Sequence, residues 1–102
     1  MKRMVLVFAL ILVSTCAMAG QIEFGEMSCG SYINKIGALA ESNMQAASTL
    51  LVWMYGYGIG AAGKTTFDQD GFGHFSRALA EHCLDNIETP VLDAARTVGS
   101  QE

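Results

Sequence analysis

The chain begins with an uninterrupted apolar run over residues 4–13, and the two residues before that run are both basic. An Ala-Met-Ala pattern that ends at Ala19 follows it. A positive start, a short apolar centre and a small-residue cleavage site are the three parts of a secretory signal peptide. The apolar run is also too short to span a bilayer. The pattern therefore predicts a signal peptide over residues 1–19, cleaved after Ala19, and an exported mature protein.

A second processing route stays open. The residues that end at Cys16 resemble a lipoprotein processing site, which would make Cys16 a lipidated N-terminus. Thr15 fits the position before that cysteine poorly, so cleavage after Ala19 is the favoured prediction.

The mature chain shows helical spacing of apolar residues, and its first two helices meet near residue 42. Ser28 is the predicted N-cap of the first helix, because apolar residues follow it at spacings of three and four. Ser42 and Gln45 have the spacing of a capping box and predict a second helix over about 43–62. That helix is apolar nearly all round, which predicts that it lies buried at the centre of a bundle.

Two more helices are predicted after a polar connection over residues 65–73. An apolar stripe at helical spacing defines the third helix, which ends near Asn86. Thr89 as N-cap and Pro90 as first helical residue predict the fourth. The fold class is therefore all-α: a small four-helix domain over 28–98, with a flexible leader at 20–27 and a tail at 99–102.

Charge limits the partners of this domain. After cleavage the chain would keep four basic and ten acidic side chains, which gives a formal net charge of −6. A protein without a basic patch is poorly suited to nucleic acid or to an anionic membrane surface, because it cannot neutralise phosphates. We therefore expect neither partner.

The mature chain contains two cysteines, Cys29 and Cys83, which are 54 positions apart. In an oxidising compartment an even pair predicts one disulfide, with two buried free thiols as the alternative. Closing a loop of this length stabilises the fold by about 4 kcal/mol in the chain-entropy account. The predicted bond would therefore hold the four-helix domain together.

The second helix contains two sequence patterns, a G-x-G-x-x-G match and a long uncharged stretch. The rest of the chain supports neither a nucleotide site nor a membrane span. Gly58, Gly60 and Gly63 match G-x-G-x-x-G, but they fall within a helix and the chain has no room for a parallel sheet. Residues 42–63 carry no charge and are long enough to cross a bilayer. Such a span would place the two cysteines on opposite sides. We therefore expect no membrane span, and we expect Gly56, Gly58 and Gly60 to permit close helix packing or to break the helix.

Metal and catalytic motifs are equally incomplete. Asp68 and Asp70 begin like a calcium loop, but Leu79 occupies the position that requires glutamate. These aspartates fit better as acidic residues at the start of the third helix. His74 and His82 are two turns apart, which favours surface histidines over a metal site. Because no nucleophile has an evident base and orienting acid, we predict no metal, no cofactor and no enzyme activity.

Four sequence features together resemble one known family. They are the Met-Ser-Cys start at 27–29, the Trp-Met-Tyr-Gly-Tyr stretch at 53–57, the Cys-x-x-Asn segment at 83–86 and the apolar terminal segment at 92–95. The layout is similar to the HdeA/HdeB family of periplasmic acid-stress chaperones. Two features differ from better-known members: the second helix is rich in glycine, and the mature chain has few lysines.

The resemblance implies a periplasmic protein that forms a homodimer near neutral pH and binds unfolding proteins in acid. Below about pH 3 carboxylates lose their charge, so the net charge would move from −6 to about +6. Carboxylates that cap helices or pair with cations would then stop stabilising the fold. The candidates for this role are Asp68, Asp70, Glu81 and Asp93. Loosening would expose an apolar client surface formed by Leu50, Leu51, Trp53, Met54, Tyr57, Phe72 and Phe75.

A different class of protein shares several of these features. Immunity proteins that inhibit secreted peptidoglycan amidases are also small, exported and helical, and they have a similar apolar Gly-Tyr stretch. They usually carry more than two cysteines. A tight stoichiometric partner bound at neutral pH would favour this alternative over the acid-stress chaperone.

Overall fold

A computed structural model describes residues 21–102, which form four helices. The helices are α1 (Cys29–Ser42), α2 (Met44–Ala61), α3 (Gln69–Asp85) and α4 (Val91–Gly99). The predicted all-α, four-helix class is confirmed. The predicted signal peptide, its cleavage after Ala19 and the alternative lipidation of Cys16 lie outside the described residues.

One residue, Asn43, separates α1 from α2, and it replaces the predicted capping box. The prediction of Ser42 as N-cap is wrong, because Ser42 is the last residue of α1 and its hydroxyl donates to the carbonyl of Ala38. The backbone of Asn43 is not helical, and its side-chain oxygen accepts from the amide of Ala46 at 3.1 Å. A short polar side chain thus ends one helix and caps the next.

Gly63 ends α2, as its position predicts. Its φ of +81° is a left-handed conformation that suits glycine. The amide of Gly63 donates to the carbonyl of Gly60, and the amide of Lys64 donates to the carbonyl of Ile59. These two bonds form a Schellman motif, which satisfies carbonyls that the helix end would otherwise leave unpaired.

The connection to α3 is shorter than predicted, because α3 begins at Gln69 instead of near Gly73. Asp68 is the N-cap, and its carboxylate accepts from the amide of Gly71 at 3.0 Å. Asp70 lies in the first turn, where a negative charge suits the positive helix end. The interpretation of both aspartates as residues of the α3 start is confirmed, but the helix extends back to include one of them.

The α3–α4 connection lies across the start of α1. The amide of Cys29 donates to the carbonyl of Thr89 at 2.8 Å, and the amide of Gly30 donates to the carbonyl of Ile87 at 2.9 Å. The prediction of Thr89 as N-cap is wrong: Pro90 holds that position with extended backbone, and α4 begins at Val91. The loop thereby satisfies amides at the free end of α1.

The predicted disulfide joins the first turn of α1 to the last turn of α3. Cys29 and Cys83 are bonded, their Cα atoms are 4.8 Å apart, and both side chains are fully buried. Ser28 is the N-cap of α1 as predicted, since its hydroxyl accepts from the amide of Ser31. The covalent bond and the backbone bonds of the connection therefore hold the same end of the bundle.

At the other end, α2 and α4 cross at two glycines. A Cβ on Gly58 would lie 2.7 Å from the carbonyl oxygen of Ala95, and one on Gly99 would collide with the backbone of Gly58. Gly56 and Gly60 have open space around them, and α2 continues through all three glycines. Close packing is therefore confirmed for Gly58, while Gly56 and Gly60 neither pack closely nor break the helix.

The expectation that α2 is buried all round is wrong. One face, which includes Leu50, Met54 and Ile59, lies in the core, and α2 contacts each of the other three helices. The opposite face is exposed, because the three other helices are too few to surround α2. An apolar helix thus lies half in the core and half at the surface.

Candidate client-binding surface

The exposed face of α2 carries no charge and includes three large apolar side chains; we call it the outer face. It consists of Met44, Ser48, Val52, Trp53, Gly56 and Gly60. Met44 is 64% exposed, Val52 44% and Trp53 48%. No charged residue occurs between Glu41 and Lys64. Large exposed apolar side chains that lie together on one helix, rather than scattered singly, are typical of a surface that binds another protein.

A shallow groove of about 570 Å³ continues this surface toward α1. Ile22 and Phe24 form one wall, Leu39 lies on α1, and Leu50 and Trp53 belong to α2. Lys35 also lines the groove and adds a positive charge. The groove extends the apolar area from the outer face to the residues that precede α1.

Three aromatic rings stack at the side of the outer face; we call them the outer stack. Trp53 lies between Phe24 and Tyr57, with ring centroids 4.6 Å and 5.7 Å apart. Arg96 donates to the hydroxyl of Tyr57 at 2.8 Å and pairs with Asp93 one turn earlier on α4. Trp53 remains 48% exposed, so a partner can contact its indole ring. The outer stack joins the residues before α1 to α2 and α4.

A second aromatic group lies on the core side of α2. Tyr55 contacts Phe67, Phe72 and Phe75 edge to face, with centroids 5.4 to 5.6 Å apart. Its hydroxyl lies 3.4 Å from the backbone of Asp68. This inner cluster therefore packs directly beneath the capped start of α3.

The seven residues predicted as a client surface do not form one surface in this folded state. Leu50, Met54 and Phe75 are buried, Leu51, Tyr57 and Phe72 are half-buried, and Trp53 is exposed. Trp53 and Tyr57 meet in the outer stack, whereas Phe72 and Phe75 belong to the inner cluster. The prediction that acid exposes them together remains a prediction.

The four predicted pH-sensitive carboxylates have different surroundings. Asp68 caps α3, Asp70 lies in the first turn of α3, and Asp93 pairs with Arg96. Glu81 is exposed on α3, and among residues 21–102 no ion pair joins it to Arg77, which sequence spacing allows. Asp68 and Asp93 thus make the contacts that protonation would weaken.

A comparison with protein-family models identifies the family of this chain. The model of the HdeA/HdeB family matches residues 3–93, which is most of the chain and includes Cys29 and Cys83. The chain belongs to the HdeA/HdeB family. No significant match was found among curated proteins or among solved structures. The resemblance given by the sequence motifs is therefore confirmed at the level of the family.

Other kinds of site find no support in the described part of this family member. Residues 21–102 contain no group of three or more His, Cys, Asp or Glu side chains placed to hold a metal ion. None of their helices is long and apolar enough to span a bilayer. His74 is exposed, as predicted for a surface histidine, and bonds to Glu102.

Sequence reasoning missed several residues that build the surface. Phe24 is only 8% exposed and forms one face of the outer stack, although it lies in a polar segment before α1. Tyr55 organises the inner cluster, yet in sequence it is one aromatic residue among three in α2. Ile22, Phe24 and Met27 alternate with polar residues before α1, and this pattern is the signal that could have indicated Phe24.

Proposed function

We propose that this HdeA/HdeB family member is a periplasmic acid-stress chaperone that binds unfolding proteins through α2. The observation that carries the proposal is the division of one uncharged helix into an exposed outer face and a buried apolar face. Part of the client surface is then exposed in the folded state, and the rest is buried in the core.

At neutral pH a second copy of the chain is the proposed occupant of the outer face. Two α2 helices that pack antiparallel about a twofold axis near residue 54 would place Val52 opposite Gly56 and Ser48 opposite Gly60. Side chains on one copy would then meet open glycine positions on the other, as an isologous interface requires. The ten acidic and four basic side chains make the remaining surface repulsive toward a copy of itself, whereas the outer face carries no charge.

In strong acid the contacts around α2 would weaken. Carboxylates as a class lose their charge in strong acid, and the contacts that would weaken are the α3 cap made by Asp68 and the pair of Asp93 with Arg96. The remaining positive charges repel one another, which loosens the bundle further. Movement of α3 and α4 away from α2 would expose Leu50 and Met54 beside Trp53.

The disulfide limits this opening. Cys29–Cys83 joins α1 to α3 and does not depend on protonation. The acid form would therefore stay compact at one end while α2 becomes accessible. This predicts a client-binding form that refolds readily on return to neutral pH.

The test is suppression of client aggregation at pH 2–3. An acid-labile client protein is diluted into acid with a molar excess of the chaperone, and light scattering is followed with and without reductant. We expect suppression by the oxidised protein and weaker suppression by the reduced protein. Full aggregation of the client at molar excess would refute the proposal.

A matched pair of substitutions at Val52 separates dimerisation from client binding. Val52→Asp places a charge on the outer face at pH 7 but is neutral at pH 2.5, whereas Val52→Lys is charged at both. Val52→Asp should therefore abolish the dimer and retain most of the suppression, while Val52→Lys should reduce both. Asn34→Lys, on the exposed side of α1, is the control for added charge.

The same variants discriminate the immunity-type alternative. A stoichiometric inhibitor would bind its partner at pH 7 and lose binding with either charge at Val52. A chaperone would bind clients in acid only, and Val52→Asp would keep that activity. Equal loss of suppression in acid for both variants would contradict the assignment of α2 as the acid-state client surface.

A further inference from the structure

Residues 21–26, which precede α1, lie against α2; we call them the strap. Phe24 is the one buried residue of the strap, and its ring centroid lies 4.6 Å from that of Trp53. Ile22 and Phe24 both line the groove, whereas Glu23 between them is exposed and does not. Two apolar side chains of the strap therefore face the bundle, and the charged residue between them faces solvent.

The strap is fixed to the bundle on its Met27 side. The carbonyl of Met27 accepts from the amide of Val91 at 2.9 Å, and the amide of Met27 donates to the carbonyl of Phe24 at 3.2 Å. Within residues 21–102, no backbone hydrogen bond joins the strap itself to a helix. A turn at 25–26 separates Met27 from Phe24. Apolar side-chain contacts therefore hold the strap on α2, and rotation at this turn would lift it.

Lifting the strap would uncover apolar surface without moving any helix. Leu50 is only 4% exposed and lines the same groove as Phe24. The face of Trp53 on which Phe24 stacks would become free, and the groove of about 570 Å³ would lose one wall. The uncovered site is continuous with the outer face, because Trp53 belongs to both. The strap thus occupies part of the surface that we propose for client binding.

We propose that the strap fills a peptide-binding site on α2 and that an extended segment of the same chemistry displaces it. The segment that fits has a large aliphatic residue and an aromatic residue two positions later, as the strap has in Ile22 and Phe24. Its aromatic ring stacks on Trp53 in place of Phe24, and its aliphatic side chain packs in the groove. Because the strap is tethered, its effective concentration at the site is on the order of millimolar, so only segments that bind more tightly displace it.

Charge narrows the class of segment further. Lys35 lines the groove, and the outer face beside it carries no charge. The strap itself has Glu23 and Glu26 on either side of Phe24. A segment with acidic residues near its aromatic residue is therefore complementary to the site, whereas a basic residue there would face Lys35. This inference rests on the proposed function, because it names the kind of client segment that α2 binds.

The test is the binding of a matched pair of peptides at pH 7. One peptide has the sequence of the strap, Gln-Ile-Glu-Phe-Gly-Glu, and the other has serine in place of phenylalanine; both are blocked at their ends. NMR shifts of the α2 amides measure binding to the parent and to Phe24→Ala, in which the strap has lost its aromatic residue. Both proteins also carry Val52→Lys, which keeps a second copy of the chain off the outer face.

Burial of Phe24 and its stacking on Trp53 should hold the strap closed by a factor of about thirty or more. The strap peptide should therefore bind Phe24→Ala at least about tenfold more tightly than it binds the parent, and the serine peptide should bind neither. Equal binding of the two peptides to Phe24→Ala, or no binding of the strap peptide at about 10 mM, would overturn the proposal. Self-association of Phe24→Ala without peptide binding would also overturn it and would assign the groove to a second copy.

Quenching of the single tryptophan by acrylamide shows whether the strap lies on α2. Quenching of Trp53 should increase in Phe24→Ala and, to a smaller extent, in Ile22→Ala, which leaves the buried phenylalanine in place. Phe67→Ala removes an exposed aromatic residue that contacts Tyr55, and it should leave the quenching unchanged. Unchanged quenching in Phe24→Ala would overturn the strap. That failure is separate from failure of the chaperone proposal, whose readout is client aggregation in acid with the strap sequence intact.

Discussion

The two ends of this bundle are held together by different kinds of contact. At the disulfide end, Cys29–Cys83 and the backbone hydrogen bonds between α1 and the α3–α4 connection fix the chain. At the crossing end, α2 and α4 meet at Gly58 and Gly99 with titratable groups close by. One end depends on covalent and backbone bonds, and the other on close packing and charge.

This difference indicates where acid acts. Protonation changes neither a disulfide nor an amide–carbonyl bond, so the disulfide end should persist at low pH. The crossing end is flanked by Asp93–Arg96 and by the contacts of Glu102. A chaperone that must open and then refold would benefit from one end that opens while the other holds the helices in register.

The largest expected effect comes from breaking the disulfide end. Replacing both cysteines, Cys29→Ala and Cys83→Ala, should lower the free energy of unfolding by about 4 kcal/mol, since the bond closes a loop of 54 positions. Urea unfolding at pH 7 measures the loss. Adding reductant to the double variant is the control and should change nothing. A loss below about 1 kcal/mol would show that the backbone bonds alone hold this end.

The next effect comes from forcing the crossing end apart. Gly58→Ala places a Cβ 2.7 Å from the Ala95 carbonyl oxygen and from a ring carbon of Phe75. Overpacking of this kind should destabilise the fold by about 1–3 kcal/mol. Thermal and urea unfolding measure the change at pH 7.

Gly37→Ala is the matched control for the crossing. Gly37 lies in α1, and a Cβ there meets nothing within 4 Å. Removing an exposed helical glycine should stabilise the protein by about 0.5–1 kcal/mol. A loss of stability in Gly58→Ala together with a gain in Gly37→Ala would confirm that steric contact causes the loss. Equal gains in stability in the two variants would refute the tight crossing of α2 and α4.

The comparison also shows how far the sequence could predict this molecule. Helical spacing and the two cysteines were enough for four helices and their disulfide, because these signals are local or involve a single possible pair. The exposure of α2 could not be read from its composition. An apolar helix is buried only if enough neighbours surround it, and that number depends on how α1, α3 and α4 pack.

Contacts between distant segments were the other missing part. Phe24 stacks on Trp53, and Glu102 meets His74, because the chain folds back on itself at both ends of the domain. Neither pair has a periodic signal in sequence. The N-cap errors at Ser42 and Thr89 have a local cause, since each has a neighbour, Asn43 or Pro90, that takes the cap position.

The stability of the protein at high pH tests whether the disulfide end, where Tyr32 lies, responds to base instead of acid. Its hydroxyl is buried without a hydrogen-bond partner, and burial raises the pKa of Tyr32 to about 12. A raised pKa means that its contribution to stability is complete below the ordinary value of about 10 and is lost as pH rises toward 12. Stability should therefore fall by about 2–3 kcal/mol over that range because of this residue.

Tyr32→Phe should remove this alkaline loss and stabilise the protein by about 1 kcal/mol at pH 7, since no unpaired hydroxyl remains buried. Unfolding curves at pH 7, 9 and 12 measure both effects. Between pH 7 and pH 3 the variant and the parent should change in parallel. A divergence in acid would contradict the separation of the two ends.

An effect of similar size to the gain at Gly37 comes from Asp68, at the capped start of α3 above the inner cluster. Asp68→Ala loses the bond to the Gly71 amide and should cost about 1 kcal/mol at pH 7. Asp68→Asn keeps an acceptor oxygen and loses only the charge, which costs about 0.3–1 kcal/mol at a helix N-terminus. Asp68→Asn should therefore lose less stability than Asp68→Ala. Chemical unfolding at pH 7 measures both losses, and an equal loss in the two variants would mean that Asp68 acts on stability through its charge and not through its bond to the Gly71 amide.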